Sequence, residues 1–101
     1  TVLDLSGKQL TGSLKAEVRL MRSLTELNLS NNKFTGIPAE IGQLGELRVL
    51  NLSGNPVTGL PQELGNLQKL QVLDLRNTSY AKQDLDIIKA KLPKTTKILV
   101  D

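Results

Sequence analysis

The chain has no cysteine and no histidine, and its only aromatic residues are Phe34 and Tyr80. Without thiols there is no disulfide to report on a redox compartment. Without imidazole the commonest general base and metal ligand is missing, so neither a Ser-His nor a Cys-His pair can be assembled. No Gly-Lys-Ser/Thr segment is present to cradle a phosphate. No apolar run approaches the roughly 18 residues a membrane helix needs. Charge of one sign is also scarce, because 13 Lys and Arg face 10 Asp and Glu and the net +3 is spread along the sequence. That balance is too slight for the basic footprint of a nucleic-acid binder. These absences argue against an enzyme, a cofactor or metal site, a nucleic-acid partner and membrane insertion. The length of 101 residues points to one small domain, 1–101, of ordinary stability.

What is present is repetition. Leu24 to Leu47 reads LTELNLSNNKFTGIPAEIGQLGEL and Leu47 to Leu70 reads LRVLNLSGNPVTGLPQELGNLQKL, so the leucines, an asparagine, a Thr-Gly pair, a proline and a later glycine recur 23 residues on. A period in the twenties with the frame LxxLxLxxN is the signature of a solenoid. Each unit supplies one short strand and cannot bury its apolar side without neighbours. Strand cores align as Leu3-Asp4-Leu5, Leu27-Asn28-Leu29, Leu50-Asn51-Leu52 and Leu73-Asp74-Leu75, with a degenerate fifth at Ile98-Leu99-Val100. Repeats are expected at about 1–23, 24–46, 47–69 and 70–101, the last including a cap.

These residues resemble the leucine-rich repeat family, and TGIPAEIGQL and TGLPQELGNL look like the connecting text of its short plant-type and bacterial repeats. The resemblance implies an α/β fold: a right-handed solenoid of four repeats plus a C-terminal helix-strand cap, with one curved parallel sheet on the concave face. It also implies binding as the function. Secreted members often carry disulfide-bonded caps, evidence that this chain lacks. It opens at Thr1, already inside a strand, so residues upstream are expected to have been removed; no compartment follows from the sequence.

The first repeat is one residue longer than the others, with 24 residues from Leu3 to Leu27, and the extra residue falls near Ser13. Lys15 stands where later repeats have proline, so its convex segment is expected to form a helical turn. Pro38 and Pro61 should restrict theirs to extended or 3₁₀ pieces. Leu20 points away from the core, as a lone exposed leucine or as a contact for a missing cap or partner. At the asparagine position stand Lys8, Asn32, Asn55 and Thr78; in the family this side chain turns inward onto unpaired backbone groups, a need set by the cost of burying bare amides. Gly36 and Gly59 are expected at tight turns that a Cβ would oppose. Leu85, Ile88 and Leu92 form one face of a helix between Lys82 and Leu92, with Ser79 or Asp84 as its cap and Pro93 as its end.

Alternation along the strands puts three columns of side chains on the concave face. They are Val2, Glu26, Val49, Val72 and Lys97; Asp4, Asn28, Asn51, Asp74 and Leu99; and Ser6, Ser30, Ser53, Arg76 and Asp101. Asp4 and Asp74 lie three strands apart, roughly 14 Å, beyond the separation of about 10 Å at which paired glycosidase carboxylates work. Asp74, Arg76 and Asp101 read as a solvated ion-pair group. Phe34 reads as core, and Tyr80, in the same position, as a residue with an exposed hydroxyl. The sequence thus predicts a non-catalytic module that binds a protein or peptide through Glu26, Asn28, Arg48, Val49, Asn51, Val72, Asp74 and Arg76, centred on the two valines. The alternative is a structural unit, or the end of a longer array, that associates through the uncovered first repeat near Leu10, Leu14 and Leu20, as a monomer or weak homodimer. Three glycosylation-type tripeptides begin at Asn28, Asn51 and Asn77, two of them simply a consequence of the repeat text NLS.

Overall fold

A computed structural model describes residues 1–101. In chain order the strands are β1 (Val2–Asp4), β2 (Thr11–Ser13), β3 (Glu26–Asn28), β4 (Lys33–Gly36), β5 (Val49–Asn51), β6 (Val72–Asp74) and β7 (Lys97–Leu99), with one α-helix, α1 (Lys82–Lys91), before β7. One parallel sheet of five strands runs in the order β1-β3-β5-β6-β7, and a second parallel pair joins β2 to β4. Successive strands of the main sheet are thus neighbours through crossovers, whose sterics favour the right hand. The register is in phase throughout: Leu3, Leu27, Leu50, Leu73 and Ile98 are partners in one row. The irregularity in the β2-β4 register falls between Gly12 and Ser13, where the longer first repeat has its extra residue.

One apolar core of 21 buried residues runs along the axis, from Val18 and Leu24 to Ile88 and Leu92. Each leucine taken from water into it contributes about 1.5–3 kcal/mol. Beside this core a row of amides is closed by asparagine. Asn55, 1% exposed, accepts from the Phe34 amide at 3.1 Å and donates from Nδ2 to the Leu29, Leu52 and Ser53 carbonyls at 2.8, 3.0 and 3.2 Å. Asn32 does the same one layer earlier, accepting from the amides of Lys8 and Leu10. In the last repeat the Thr78 hydroxyl donates to the Leu75 carbonyl instead, and Lys8 at the first is exposed.

Each of the first four main-sheet strands leads into one left-handed residue: Gly7, Asn31, Gly54 and Asn77 have φ of 63°, 58°, 71° and 56°. Only glycine and asparagine occupy this position, the residues that tolerate it most readily. Gly36 and Gly59, expected to be the demanding turns, are not left-handed. A Cβ at Gly36 would meet only the Ser13 side chain, its hydroxyl at 3.0 Å.

The convex side holds three 3₁₀ segments of five residues each, Ala16–Leu20, Ala39–Gln43 and Gln62–Asn66. The residue preceding each, Lys15, Pro38 or Pro61, is extended. Lys15 therefore does not lengthen its segment into an α-helix, because packing against the next 3₁₀ segment, not proline, sets the conformation. Gly42 lets its segment pack on the next 3₁₀ segment and Gly65 lets the last one pack on the α-helix: a Cβ on Gly42 would lie 2.5 Å from the Glu63 carbonyl oxygen, and one on Gly65 would lie 2.6 Å from the Lys91 Cβ.

Helix α1 covers the last core layer with Leu85 and Ile88, and Leu92 closes it before Pro93. Its N-cap is Ala81, without a side-chain bond. Neither Ser79 nor Asp84 caps it; Asp84 Oδ2 is drawn instead to the Leu60 amide of the preceding repeat, at 3.1 Å. At the outer edge Asp101 Oδ2 accepts from the Asn77 amide at 2.8 Å. The corresponding amides of Gly7, Asn31 and Gly54 bond carbonyls of the next turn, so a carboxylate here stands in for a carbonyl.

Candidate functional site on the concave sheet

Because the leucine row packs on the core, the residues on either side of it face out from the sheet. Glu26, Val49, Val72 and Lys97 are register partners in one column, continuing Val2. Glu26 and Lys97 are exposed and the two valines half-buried. In the next column Asn28 and Asn51 are half-buried, flanked by exposed Asp4. Of the predicted site residues, Glu26, Asn28, Val49, Asn51, Val72 and Asp74 thus share adjoining columns, with Arg76 just beyond β6. Arg48 lies outside them, immediately before β5, where its charge acts on Glu46.

The asparagine column has a definite orientation. The Ser30 amide donates to Asn28 Oδ1 at 3.0 Å and its hydroxyl does so at 2.7 Å; Ser53 treats Asn51 alike, at 3.0 and 2.7 Å. A backbone amide only donates, so the atom it meets is the side-chain oxygen. The Nδ2 groups of Asn28 and Asn51 have no partner within the chain. Asp4 is held in the same way by Ser6, whose hydroxyl, first, and amide lower its pKa. This locking of the strand exit was not legible as such: the serines read as a polar column, and the signal was their place two residues after each Asx.

Asp74 departs from the solvated pair expected for it. It is 4% exposed, and Arg76 closes over it with Nε to Oδ1 at 3.0 Å, Nη2 to Oδ2 at 2.7 Å and the amide to Oδ1 at 3.1 Å. The carboxyl is held below its ordinary pKa, chiefly by the Arg76 guanidinium bonds, against the opposing effect of burial. The Arg76 side chain, half-exposed, covers the Asp74 charge and is itself raised in pKa by it. The only other ion pair, Lys69 with Glu46 at 2.7 Å, lies outside these columns. Glu26 and Lys97 are therefore unpaired. No cluster of three or more acidic groups is placed to hold a metal ion.

At the first repeat Leu3, Leu5, Leu10 and Leu14 are only partly buried and line an apolar depression of about 350 Å³ reaching Val18, Leu27 and Phe34. Val2, Leu20 and Met21, with 60, 70 and 38% of their surface open, lie in the same repeat. Phe34 is core, as its position implies, and Tyr80 packs partly buried against that core.

A family model described as Leucine rich repeat matches residues 1–57 and again 22–79. No curated protein matches the sequence. Among solved structures, that of PEPR1-AtPEP1 is 31% identical with a TM-score of 0.79, over 98% of this chain and 14% of that one. A leucine-rich repeat protein of Leptospira interrogans is 30% identical with a TM-score of 0.62, over 84% of this chain and 27% of its own. The plant peptide hormone receptor RGFR1, solved in complex with RGF2, is 26% identical with a TM-score of 0.71, over 97% and 20%. This chain thus spans well under a third of each of these three structures.

Proposed function

The chain belongs to the leucine-rich repeat family, and from that premise we propose that it is a non-catalytic module whose concave sheet binds a peptide or an extended segment of a protein. The observation that carries the reading is the surface made by Glu26, Asn28, Val49, Asn51, Val72 and Arg76: a half-buried apolar pair rimmed by the unpaired Glu26, the half-exposed guanidinium of Arg76 and amide donors with no partner in the chain. Two adjacent valines offer an apolar anchor, and the Asn28 and Asn51 Nδ2 groups suit carbonyl or carboxylate acceptors. Similarity to a receptor solved with a peptide hormone supports the same class of ligand. Asp74 contributes through Arg76, which it positions, and Arg48 through its charge at the rim. The test is selection of binders from a displayed peptide library. Clones that bind the chain should lose binding when Val49→Glu and Val72→Glu are combined; clones that bind the folded double variant equally well refute the concave surface.

The apolar depression at the first repeat favours a second reading, association of that edge with a second copy or a further repeat. A molar mass by light scattering that rises with concentration, and falls back on Leu20→Glu, is its expected signature. A constant monomer mass up to near-millimolar concentration rejects self-association.

A further inference from the structure

The first column of the sheet is electrically graded along the solenoid axis. From Val2 it becomes acidic at Glu26, with Asp4 in the neighbouring column, passes through Val49 and Val72, and ends basic at Lys97. Neither Glu26 nor Lys97 has an ion-pair partner in the chain. Of the other charges nearby, Asp74 is engaged by Arg76, Asp4 by Ser6 and Asp101 by the Asn77 amide, while Arg48 lies outside the columns, just before β5. Glu26 and Lys97 are separated by three strand steps, roughly 14 Å at about 4.8 Å each. An extended chain lying along the axis, at about 3.3 Å per residue, covers that span in about four residues.

Residues i, i+2 and i+4 of an extended peptide point to the same side. From this coincidence of span and alternation we infer, building on the binding reading above, the charge pattern of the ligand: an extended peptide with a basic residue at one position, an apolar residue two places along and an acidic residue two further. The basic side chain meets Glu26, the apolar one sits over Val49 and Val72, and the acidic one meets Lys97. An acceptor on the peptide between the first two falls toward Asn28 and Asn51, whose free Nδ2 groups donate. Peptides with the same sign at both ends place one charge against its like and are selected against.

The experiment is selection from a displayed library of random ten-residue peptides on three immobilised chains: the unaltered protein, Glu26→Lys, and Val49→Glu with Val72→Glu. Circular dichroism checks that each is folded. On the unaltered chain, enriched peptides should carry opposite charges four residues apart around an apolar residue. Synthetic versions with one charge reversed should bind about threefold more weakly or worse, the scale of an exposed ion pair. On Glu26→Lys the enriched pattern should change to acidic residues at both ends. Enrichment without the charge spacing, or a pattern that Glu26→Lys leaves alone, overturns this inference while the binding reading stands. Binders indifferent to the valine changes, or no enrichment on the unaltered chain, overturn both.

Discussion

Replacing Asn55 by alanine isolates the amide row that closes the core. The side chain is the acceptor for the Phe34 amide and a donor to three carbonyls. Two of those carbonyls keep a partner when it is removed: Leu29 still receives Asn32 Nδ2 at 3.0 Å, and Ser53 still receives the Asn31 amide at 2.9 Å. The Phe34 amide and the Leu52 carbonyl lose the bonds Asn55 made to them, in a site 1% exposed where water has little access. At about 1–3 kcal/mol for each of the two buried groups left bare, Asn55→Ala should cost about 2–6 kcal/mol, a large share of the about 5–15 kcal/mol that holds a domain folded. Asn32→Ala removes five bonds where Asn55→Ala removes four, but at the open first repeat, where Lys8 is exposed and Leu5 and Leu10 are half-buried, so water can replace them and the cost should be smaller. Urea unfolding followed by circular dichroism measures both. An Asn55→Ala variant within about 1 kcal/mol of the parent, or no less stable than Asn32→Ala, would show that the amide row is not what its geometry says.

Gly42→Ala should destabilise by about 1–3 kcal/mol through overpacking, because the new Cβ meets the Glu63 backbone. Gly45→Ala, with nothing within 4 Å, should not, and unfolding midpoints compare the two. Asp74 has a folded pKa below its ordinary 3.8, so its ion pair stabilises the fold above that value and the contribution fades as acid protonates the carboxyl. The difference in urea midpoint between the parent and Asp74→Asn should therefore be largest at neutral pH and shrink below about pH 4; a constant difference rejects the pairing. Gly54→Ala, at φ 71° and packed against Asn31, should lower thermal stability more than Asn77→Gly, which places glycine at φ 56° and should be neutral or stabilising.

Much of this architecture follows from spacing alone. Leucines recurring in one frame can be buried only if their strands lie side by side in phase, so Leu27, Leu50 and Leu73 determine the register, the sheet and the column to which Val49 and Val72 belong. Pro93 after an apolar face of period 3.6 likewise marks where α1 ends, since helix ends are local events. What needed the tertiary structure were contacts between repeats. Gly42 looks like any repeated glycine until the Glu63 carbonyl of the next repeat arrives beside it, and Asp84 looks like a helix cap until the Leu60 amide competes for it. The left-handed residues sit at Asn31 and Gly54, not at Gly36, because the chain must turn at the strand exit, where the Asx side chain already bonds the serine two residues on. Asp74 is buried because Arg76 folds back over it, a choice of rotamer that sequence does not encode. Sequence determined which side each residue faces, since that depends on period; the fold decided what each residue meets there, since that depends on neighbours about 23 residues away.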